Sequence, residues 1–273
     1  NEEDRNGYKA VKEVIPEIEK TVHAVVDALG RGGRLIYTGA GTSGRLGILD
    51  AVECVPTFST MDEVKGIIAG GEQAFVRAKE GAEDSREDGA GDLEAINVCE
   101  RDVVVALSAS GRTPYCLGAL EYARKNGACC VGLSCNRPAV LSAYSDIAIE
   151  VDAGPEILTG STRLKAGTAE KLILNMISTA AMVGIGKVYK NLMVDMKATN
   201  LKLEDRTRRI VQMACECTEE TAEKALTKAK GDIKAAIVMI ETGISLEEAE
   251  RRLSLNNGFV RRCLQTWKAE DFN

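Results

Sequence analysis

Hydrophobic and polar residues alternate with a helical period at the start of the chain. Between Val11 and Leu29 the apolar residues recur at three- and four-residue intervals, and charged residues fill the positions between them. This spacing predicts an amphipathic helix whose apolar face is buried. Glycines at residues 30–33 interrupt the pattern, and the short apolar run at residues 34–38 that follows predicts a buried strand.

Strand-like and helix-like runs then alternate. Apolar runs predict further strands at residues 64–69, 103–108, 129–134 and 147–151, and helical patterns lie at residues 72–80, 113–126 and 166–189. Apolar strands that are each followed by a helix are typical of a parallel sheet covered on both faces. We therefore predict an α/β fold with a doubly wound, five-stranded parallel sheet, whose ligands bind at the carboxyl ends of the strands.

The strand pattern stops near residue 203. Capping residues predict helix starts at Thr218, at Asp232 and at Ser245, and the apolar positions that follow them are modest in number. We predict two domains, a sheet domain with its N-terminal helix at residues 1–202 and a small appendage of three or four helices at residues 203–273.

Composition and charge restrict the partners. The 273 residues include 35 Lys and Arg against 41 Asp and Glu, a formal net charge of −6. No positive field attracts nucleic acid or an anionic membrane, and no apolar run approaches the ~18 residues of a membrane span. Nine cysteines at irregular spacing and a single histidine, His23, fit neither a disulfide framework nor a zinc site. We expect reduced thiols in a cytoplasmic protein that holds no metal.

Two glycine- and hydroxyl-rich loops each connect a predicted strand to a predicted helix. Unpaired backbone N–H groups and partial positive charge at a helix N-terminus bind anions, and Ser and Thr hydroxyls add donors. The candidate anion ligands are Gly41, Thr42, Ser43 and Gly44 in the first loop and Ser108, Ser110, Gly111 and Thr113 in the second.

The first loop also fits the dinucleotide pattern Gly-x-Gly-x-x-Gly. A dinucleotide site needs an acidic residue at the tip of the next strand, whereas residues 69–71 are Ala-Gly-Gly and Glu72 comes only after them. The hydroxyl-rich second loop is also unexpected for such a site. A dinucleotide site and purely structural turns stay open as less favoured interpretations.

The second loop, Ser-Ala-Ser-Gly-Arg-Thr at residues 108–113, resembles the Ser-x-Ser-Gly-x-Thr loop of sugar-isomerase (SIS) domains, which bind phosphosugars. Longer strings at residues 39–54, 80–84, 154–168 and 191–200 resemble one branch, the N-acetylmuramic acid 6-phosphate etherase family. The resemblance runs from the first helix to the C-terminal helices. It departs at Val52 and Val55, where that family more often has Ser and Pro.

The resemblance implies a carbon–oxygen lyase of cell-wall amino sugar recycling. Such an enzyme cleaves the D-lactyl ether of N-acetylmuramic acid 6-phosphate and yields N-acetylglucosamine 6-phosphate and D-lactate. A sugar C2–H is acidic only when the ring opens to an aldehyde at C1. Elimination across C2–C3 then needs a base at C2 and an acid at the leaving oxygen, and water adds back at C3. This chemistry requires no metal or organic cofactor.

The family resemblance places the two catalytic carboxylates at Glu53 and Glu83. Glu53 lies among apolar residues of a predicted helix, which favours a protonated carboxyl, so we assign it to the leaving oxygen. Glu83 is assigned to the C2 proton or to water activation. Without the resemblance, each would be interpreted as an ordinary surface or ion-paired glutamate.

Further candidates follow the last predicted strand. Glu156, Ser161 and Lys165 precede the long helix and are predicted to contribute to the same site, although Lys165 also fits a residue that caps and pairs at a helix start. Arg45 and Arg112 are suited to pair with an anion or to tie the loops together.

Two other functions are compatible with the same fold. One is a phosphosugar aldose–ketose isomerase, which also uses a Glu base at C2, and the other is a non-catalytic phosphosugar-sensing regulator. Residues 154–168 and Glu53 favour the etherase over the isomerase. A single SIS copy with both candidate carboxylates disfavours the regulator. Doubly wound domains of this kind often share a ligand crevice across a two-fold axis, so we expect a homodimer.

Overall fold

Two compact units make up the chain. The computed structural model describes residues 1–196 and 201–271, so the end of the 191–200 string lies outside the described residues. One unit comprises Asn1–Glu53 and Met61–Ala181, and the other comprises Cys54–Thr60 and Met182–Asn273. The sequence-based division after residue 202 stays a prediction.

The first unit is built around a five-stranded sheet in the order β2-β1-β3-β4-β5, and every strand pair is parallel. The strands are β1 Leu35–Gly39, β2 Val64–Ile68, β3 Val103–Leu107, β4 Cys129–Ser134 and β5 Ile147–Glu150. All residues of β1 and β3 are buried, as apolar runs in a sheet covered on both faces should be. The predicted α/β doubly wound parallel sheet is confirmed.

Helices precede, connect and follow these strands. They are α1 Asp4–Glu13, α2 Ile15–Gly30, α3 Gly41–Phe58, α4 Gln73–Val76, α5 Arg86–Ala95, α6 Pro114–Lys125 and α7 Lys165–Gly184. The chain leaves β1 for the edge strand β2 and returns on the other side of β1 to form β3. The loops after β1 and β3 therefore diverge at a topological switch point, where a crevice opens at the carboxyl ends of the strands.

Three predicted helices differ in the structure. The first is split into α1 and α2 at Val14, because Pro16 in the first turn of α2 has no N–H to continue a helical hydrogen-bond ladder. The predicted helix at residues 72–80 is wrong beyond Val76. Among residues 71–80 only Ala74 is buried, so a longer helix would have no apolar face to pack.

The predicted helix at residues 166–189 ends earlier, at Gly184. Gly186 has φ +80°, a left-handed conformation that an α-helix does not contain. A short antiparallel hairpin of β6 Val188–Tyr189 and β7 Leu192–Met193 follows. The helix α5 had no sequence prediction, since its apolar residues form no clear stripe, and it begins where the Ser85 hydroxyl accepts a hydrogen bond from the Asp88 N–H.

The second unit is predominantly helical, with its own buried apolar core. Its helices in the described part of the chain are α8 Leu201–Cys215, α9 Glu219–Lys228, α10 Ile233–Thr242, α11 Leu246–Leu255 and α12 Val260–Asp271. Thr218, Asp232 and Ser245 cap α9, α10 and α11, because the side chain of each accepts a hydrogen bond from the backbone N–H of the third residue of its helix. The three predicted starts and the helical character of this region are confirmed. The predicted number of three or four helices is wrong, because α8 and α12 bring the described helices to five.

All nine cysteines are free thiols. In the residues with described positions, no helix has both the length and the hydropathy needed to cross a bilayer.

The start of α3 packs tightly against the sheet, and Gly44 permits this approach. A Cβ on Gly44 would lie 2.6 Å from the Gly39 carbonyl oxygen. We expect Gly44→Ala to lower the free energy of unfolding by about 1–3 kcal/mol, because backbone would have to move. Gly30→Ala is the matched control, since a Cβ there meets nothing within 4 Å. Denaturant titration of both variants measures the difference, and equal stabilities would refute the packing argument.

Candidate functional site

A cavity of about 580 Å³ opens where β1 and β3 end, and we call it the loop cavity. Polar groups from the two glycine- and hydroxyl-rich loops make up much of its wall. It is lined by Ala40, Gly41, Thr42, Ser43, Glu83, Asp84, Leu107, Ser108, Ala109, Ser110, Arg112, Thr113, Pro114, Gly160 and Thr162. The register places Gly39 beside Leu107, so the first turns of α3 and α6 begin from neighbouring strand ends.

Three hydroxyls of the second loop form one cluster. The Ser108 Oγ lies 2.8 Å from the Thr113 Oγ1 and 3.4 Å from the Ser110 Oγ. The turn that holds them depends on Gly111, which has φ +67° and donates its N–H to the Ser108 carbonyl at 2.8 Å. Hydroxyls that are held together on a tight turn at the start of α6 are suited to donate to a single anion.

The first loop leads directly into α3. Gly41, Thr42 and Ser43 line the cavity, and Gly41 adopts φ +53° as the chain turns into the helix. The Ser43 hydroxyl donates a hydrogen bond of 2.8 Å to the Glu170 Oε1 of α7. Glu170 is fully buried, and burial raises the pKa of its carboxyl to about 7.

Gly44 and Gly111 do not line the cavity but shape the loops around it. Gly44 lies against the Gly39 carbonyl, and a Cβ on Gly111 would lie 2.5 Å from the Ala139 Cβ. Both positions therefore need glycine for packing, and Gly111 needs it for its backbone conformation as well.

Glu83 lies on the wall of the loop cavity. It belongs to a 3₁₀ turn at Ala82–Asp84, is exposed, and also lines a smaller neighbouring cavity of about 180 Å³. The Arg45 guanidinium donates to the backbone carbonyls of Ala74 and Phe75 in α4, at 2.8 and 2.9 Å. Arg45 thus connects α3 to α4, which precedes Glu83 in the chain. This agrees with the interpretation of Arg45 as a residue that holds loops together.

Glu53 does not line the loop cavity of its own chain. It is exposed near the C-terminal end of α3, whose N-terminal residue Gly41 lines that cavity. At ~1.5 Å of rise per residue, the Cα of Glu53 lies roughly 18 Å along the helix axis from that of Gly41. A glutamate side chain is too short to cover this distance.

Three other candidates lie beside the cavity rather than in its wall. The Glu156 carboxylate accepts hydrogen bonds of 3.0 Å from the backbone N–H groups of Lys165 and Ala166, and so caps α7. The buried Lys165 ammonium pairs with the Glu3 carboxylate at 2.8 Å, which lowers the pKa of Glu3. Ser161 is outside the wall, although its neighbours Gly160 and Thr162 line it.

Sequence reasoning missed part of the site. Asp84 and Thr162 line the cavity, although the sequence analysis did not name them as candidates. Arg112 also lines the cavity, which agrees with its interpretation as a partner for an anion. Glu170, beneath Ser43, was also missed. Its neighbours in the sequence are Ala169 and Lys171, and a lone glutamate beside a lysine in a helix is ordinarily a surface residue.

The arrangement therefore combines an anion site with acid–base groups. The wall of the cavity contains hydroxyls and helix N-termini, which favour a negatively charged group, and it contains carboxylates, which are suited to proton transfer. Among the described residues, no group of three or more His, Cys, Asp and Glu side chains is arranged to hold a metal ion.

Family models match this fold. The model of the glucokinase regulatory protein N-terminal SIS domain matches residues 15–124, and the SIS domain model matches residues 86–180.

Solved structures of low sequence identity share the fold. A phosphoheptose isomerase from Francisella tularensis has a TM-score of 0.53 at 18% identity, covering 66% of this chain and 92% of that one. A putative phosphosugar isomerase involved in capsule formation from Bacteroides fragilis has a TM-score of 0.50 at 20% identity, covering 66% of this chain and 85% of that one.

Curated relatives are far more similar in sequence. The N-acetylmuramic acid 6-phosphate etherase of Shouchella clausii is 57% identical over 265 residues, covering 97% of this chain and 90% of that protein. The etherase of the same name from Mycolicibacterium smegmatis is also 57% identical, covering 97% and 89%. Identity this high over nearly the whole chain shows that the chain belongs to the N-acetylmuramic acid 6-phosphate etherase family.

Proposed function

We propose that this protein cleaves the D-lactyl ether of N-acetylmuramic acid 6-phosphate and yields N-acetylglucosamine 6-phosphate and D-lactate. The observation that carries the proposal is the loop cavity, whose wall holds both the hydroxyls at two helix N-termini and the Glu83 side chain. The names of the family's curated members supply the substrate.

The phosphate binds to the two loops. Ser108, Ser110 and Thr113 from one loop and Thr42 and Ser43 from the other offer hydroxyls at the starts of α6 and α3. A hydrogen bond to a charged group contributes about 1.5–3 kcal/mol. Several such bonds together outweigh the repulsion of the phosphate by the protein's net charge of −6. Arg112, also in the wall, is a further cation for the phosphate or the lactyl carboxylate.

The reaction proceeds by elimination and addition on the ring-opened sugar. Glu83 removes the proton from C2, the C3–O bond breaks, and its electron pair leaves with the lactyl oxygen, which takes a proton from a second acid. Water then adds its oxygen to C3 and gives one proton to the carboxylate of the second acid, and the proton held by Glu83 returns to C2. Each positioned proton-transfer group accelerates the reaction by about 10²–10⁴.

We assign the second acid to Glu53 of a second copy of the chain. Leu49 and Val52 are exposed apolar residues one turn apart on α3, and Met176 is an exposed apolar residue of α7, so both helices offer apolar surface for self-association. A two-fold axis perpendicular to α3 makes the α3 helices of the two copies antiparallel. The Glu53 end of one helix then lies beside the Gly41 end of the other. A homodimer of this kind brings the missing carboxylate to each loop cavity.

We also propose that the protein works in the cytoplasm. Cys116, Cys130 and Cys263 are free thiols in fully buried positions, and the remaining six cysteines are free as well. A protein with this many unpaired thiols is suited to a reducing compartment.

The activity is tested by incubating the protein with N-acetylmuramic acid 6-phosphate and measuring D-lactate. We expect stoichiometric release of D-lactate and N-acetylglucosamine 6-phosphate. Isomerisation of another phosphosugar without any lactate from this substrate would reject the proposed function.

A further inference from the structure

Glu170 is a buried carboxyl directly behind the wall of the loop cavity. Its Oε1 accepts the hydrogen bond from the Ser43 Oγ at 2.8 Å, and Ser43 itself lines the cavity. Its Oε2 is buried without a hydrogen-bond partner among the described residues. One side chain thus separates a fully buried acid from the proposed anion site.

No cation neutralises Glu170 within the described residues. The thiols of Cys116 on α6 and Cys135 after β4 interact electrostatically with it, and burial raises the pKa of both, so they stay neutral. The adjacent Lys171 ammonium is paired with Asp50 of α3 at 3.0 Å.

At the start of α7 the charges are also already engaged. The Glu156 carboxylate is held by backbone N–H groups, and the Lys165 ammonium is paired with Glu3. A buried carboxylate without a cation favours its neutral form, and burial accordingly raises the pKa of Glu170 to about 7. Both protonation states are therefore accessible near neutral pH.

The two states direct the Ser43 hydroxyl differently. A Glu170 carboxylate can only accept, so it takes the Ser43 hydrogen and leaves lone pairs of the Ser43 oxygen toward the cavity. A protonated Glu170 donates its own hydrogen to the Ser43 oxygen, and the Ser43 hydrogen is then available to an anion in the cavity. The charged state also adds like-charge repulsion behind the anion.

We propose that Glu170 is a positioning residue that must carry a proton for Ser43 to donate to an anion in the loop cavity, so that binding of the anion takes up a proton. The inference rests on the proposed function, because it takes the phosphate of the sugar as that anion. Glu170 acts through Ser43 and does not touch the sugar.

Linkage fixes the direction of the pH dependence. Binding selects the protonated form, so the affinity is highest below the pKa of Glu170 in the free protein and falls as the pH rises above it. A sugar phosphate with a second ionisation near 6 is a dianion throughout the range from pH 7.5 to 8.5. Over this range we expect the Kd of N-acetylglucosamine 6-phosphate to rise about tenfold per pH unit.

Glu170→Gln separates this effect from other titrations. The Gln amide donates permanently to the Ser43 oxygen and cannot titrate, so its Kd is expected to change less than about twofold over the same range. Glu94→Gln, an exposed carboxylate on α5, is the control for the lost charge and should behave like the wild type.

Calorimetric titration with N-acetylglucosamine 6-phosphate in two buffers of different ionisation enthalpy measures the proton uptake directly. At pH 8 we expect nearly one more proton taken up by the wild type than by Glu170→Gln. Equal uptake would overturn the inference. If Glu170→Gln does not fold, Ser43→Ala is measured in its place, because this variant removes the hydroxyl that couples Glu170 to the cavity. Proton uptake by Ser43→Ala equal to that of the wild type would also overturn the inference.

The outcomes also distinguish this inference from the proposed function. Binding without the difference in proton uptake refutes only the role of Glu170. Absence of binding by all variants, together with no lactate release, refutes the proposed function and this inference with it.

Discussion

Glu83→Gln is expected to lower kcat for lactate release by about 10²–10⁴. Glu83 lies on the wall of the same loop cavity as the hydroxyls proposed to hold the phosphate, and it is assigned the proton at C2. The amide keeps the size and the hydrogen-bonding capacity of the side chain but cannot accept that proton. Steady-state measurement of D-lactate gives the ratio of kcat values, and KM is expected to change little because the phosphate ligands are intact.

Glu94→Gln is the matched control for this variant. It removes the same charge from an exposed position of α5, the helix that follows the Glu83 turn, and we expect kcat within about twofold of the wild type. An equal loss in both variants would indicate a general charge effect, and retention of a tenth or more of the activity by Glu83→Gln would remove Glu83 from the chemistry.

Glu53→Gln is expected to lower lactate release by a similar factor, since the leaving oxygen then lacks its acid. The more informative result comes from mixing it with Glu83→Gln. If Glu53 serves the cavity of the second copy, a mixed dimer has one site with both carboxylates intact and one with neither.

Random reassortment of the two inactive variants makes half of the dimers mixed, so about one quarter of the wild-type activity should return. Denaturation and joint refolding of equal amounts, followed by the lactate assay, measures this recovery. If Glu53 acts within its own chain, no site regains both carboxylates and the mixture stays inactive.

Much of the fold was predictable because its physical causes are local. Five apolar runs, most of them followed by a helix, are sufficient to predict a parallel sheet, and capping residues such as Ser245 mark helix starts. The helix α5 has no such signal, because it lacks a clear apolar stripe and contains two glycines, and its packing against the rest of the unit holds it. The early end of α7 before the hairpin coincides with the positive φ of Gly186, which the apolar pattern around it does not reveal.

The site was predictable where the residue type alone determines the chemistry. The hydroxyls of Ser108, Ser110 and Thr113, named as anion ligands from the loop sequence, lie together in the structure, and their binding of an anion stays a prediction. The position of Glu53 along α3 could not be judged without the geometry of the sheet and the cavity at its end. Glu170 was invisible for another reason, since its burial arises from contacts with elements distant in the sequence, as its hydrogen bond with Ser43, 127 residues away, illustrates.

The most direct test follows deuterium at C2 and lactate in the same reaction, with N-acetylmuramic acid 6-phosphate in D₂O as the substrate. If Glu83 takes the C2 proton and Glu53 protonates the leaving oxygen, Glu53→Gln exchanges deuterium into the substrate at C2 without releasing lactate, and Glu83→Gln does neither. Exchange and lactate release by Glu83→Gln at wild-type rates would contradict the account.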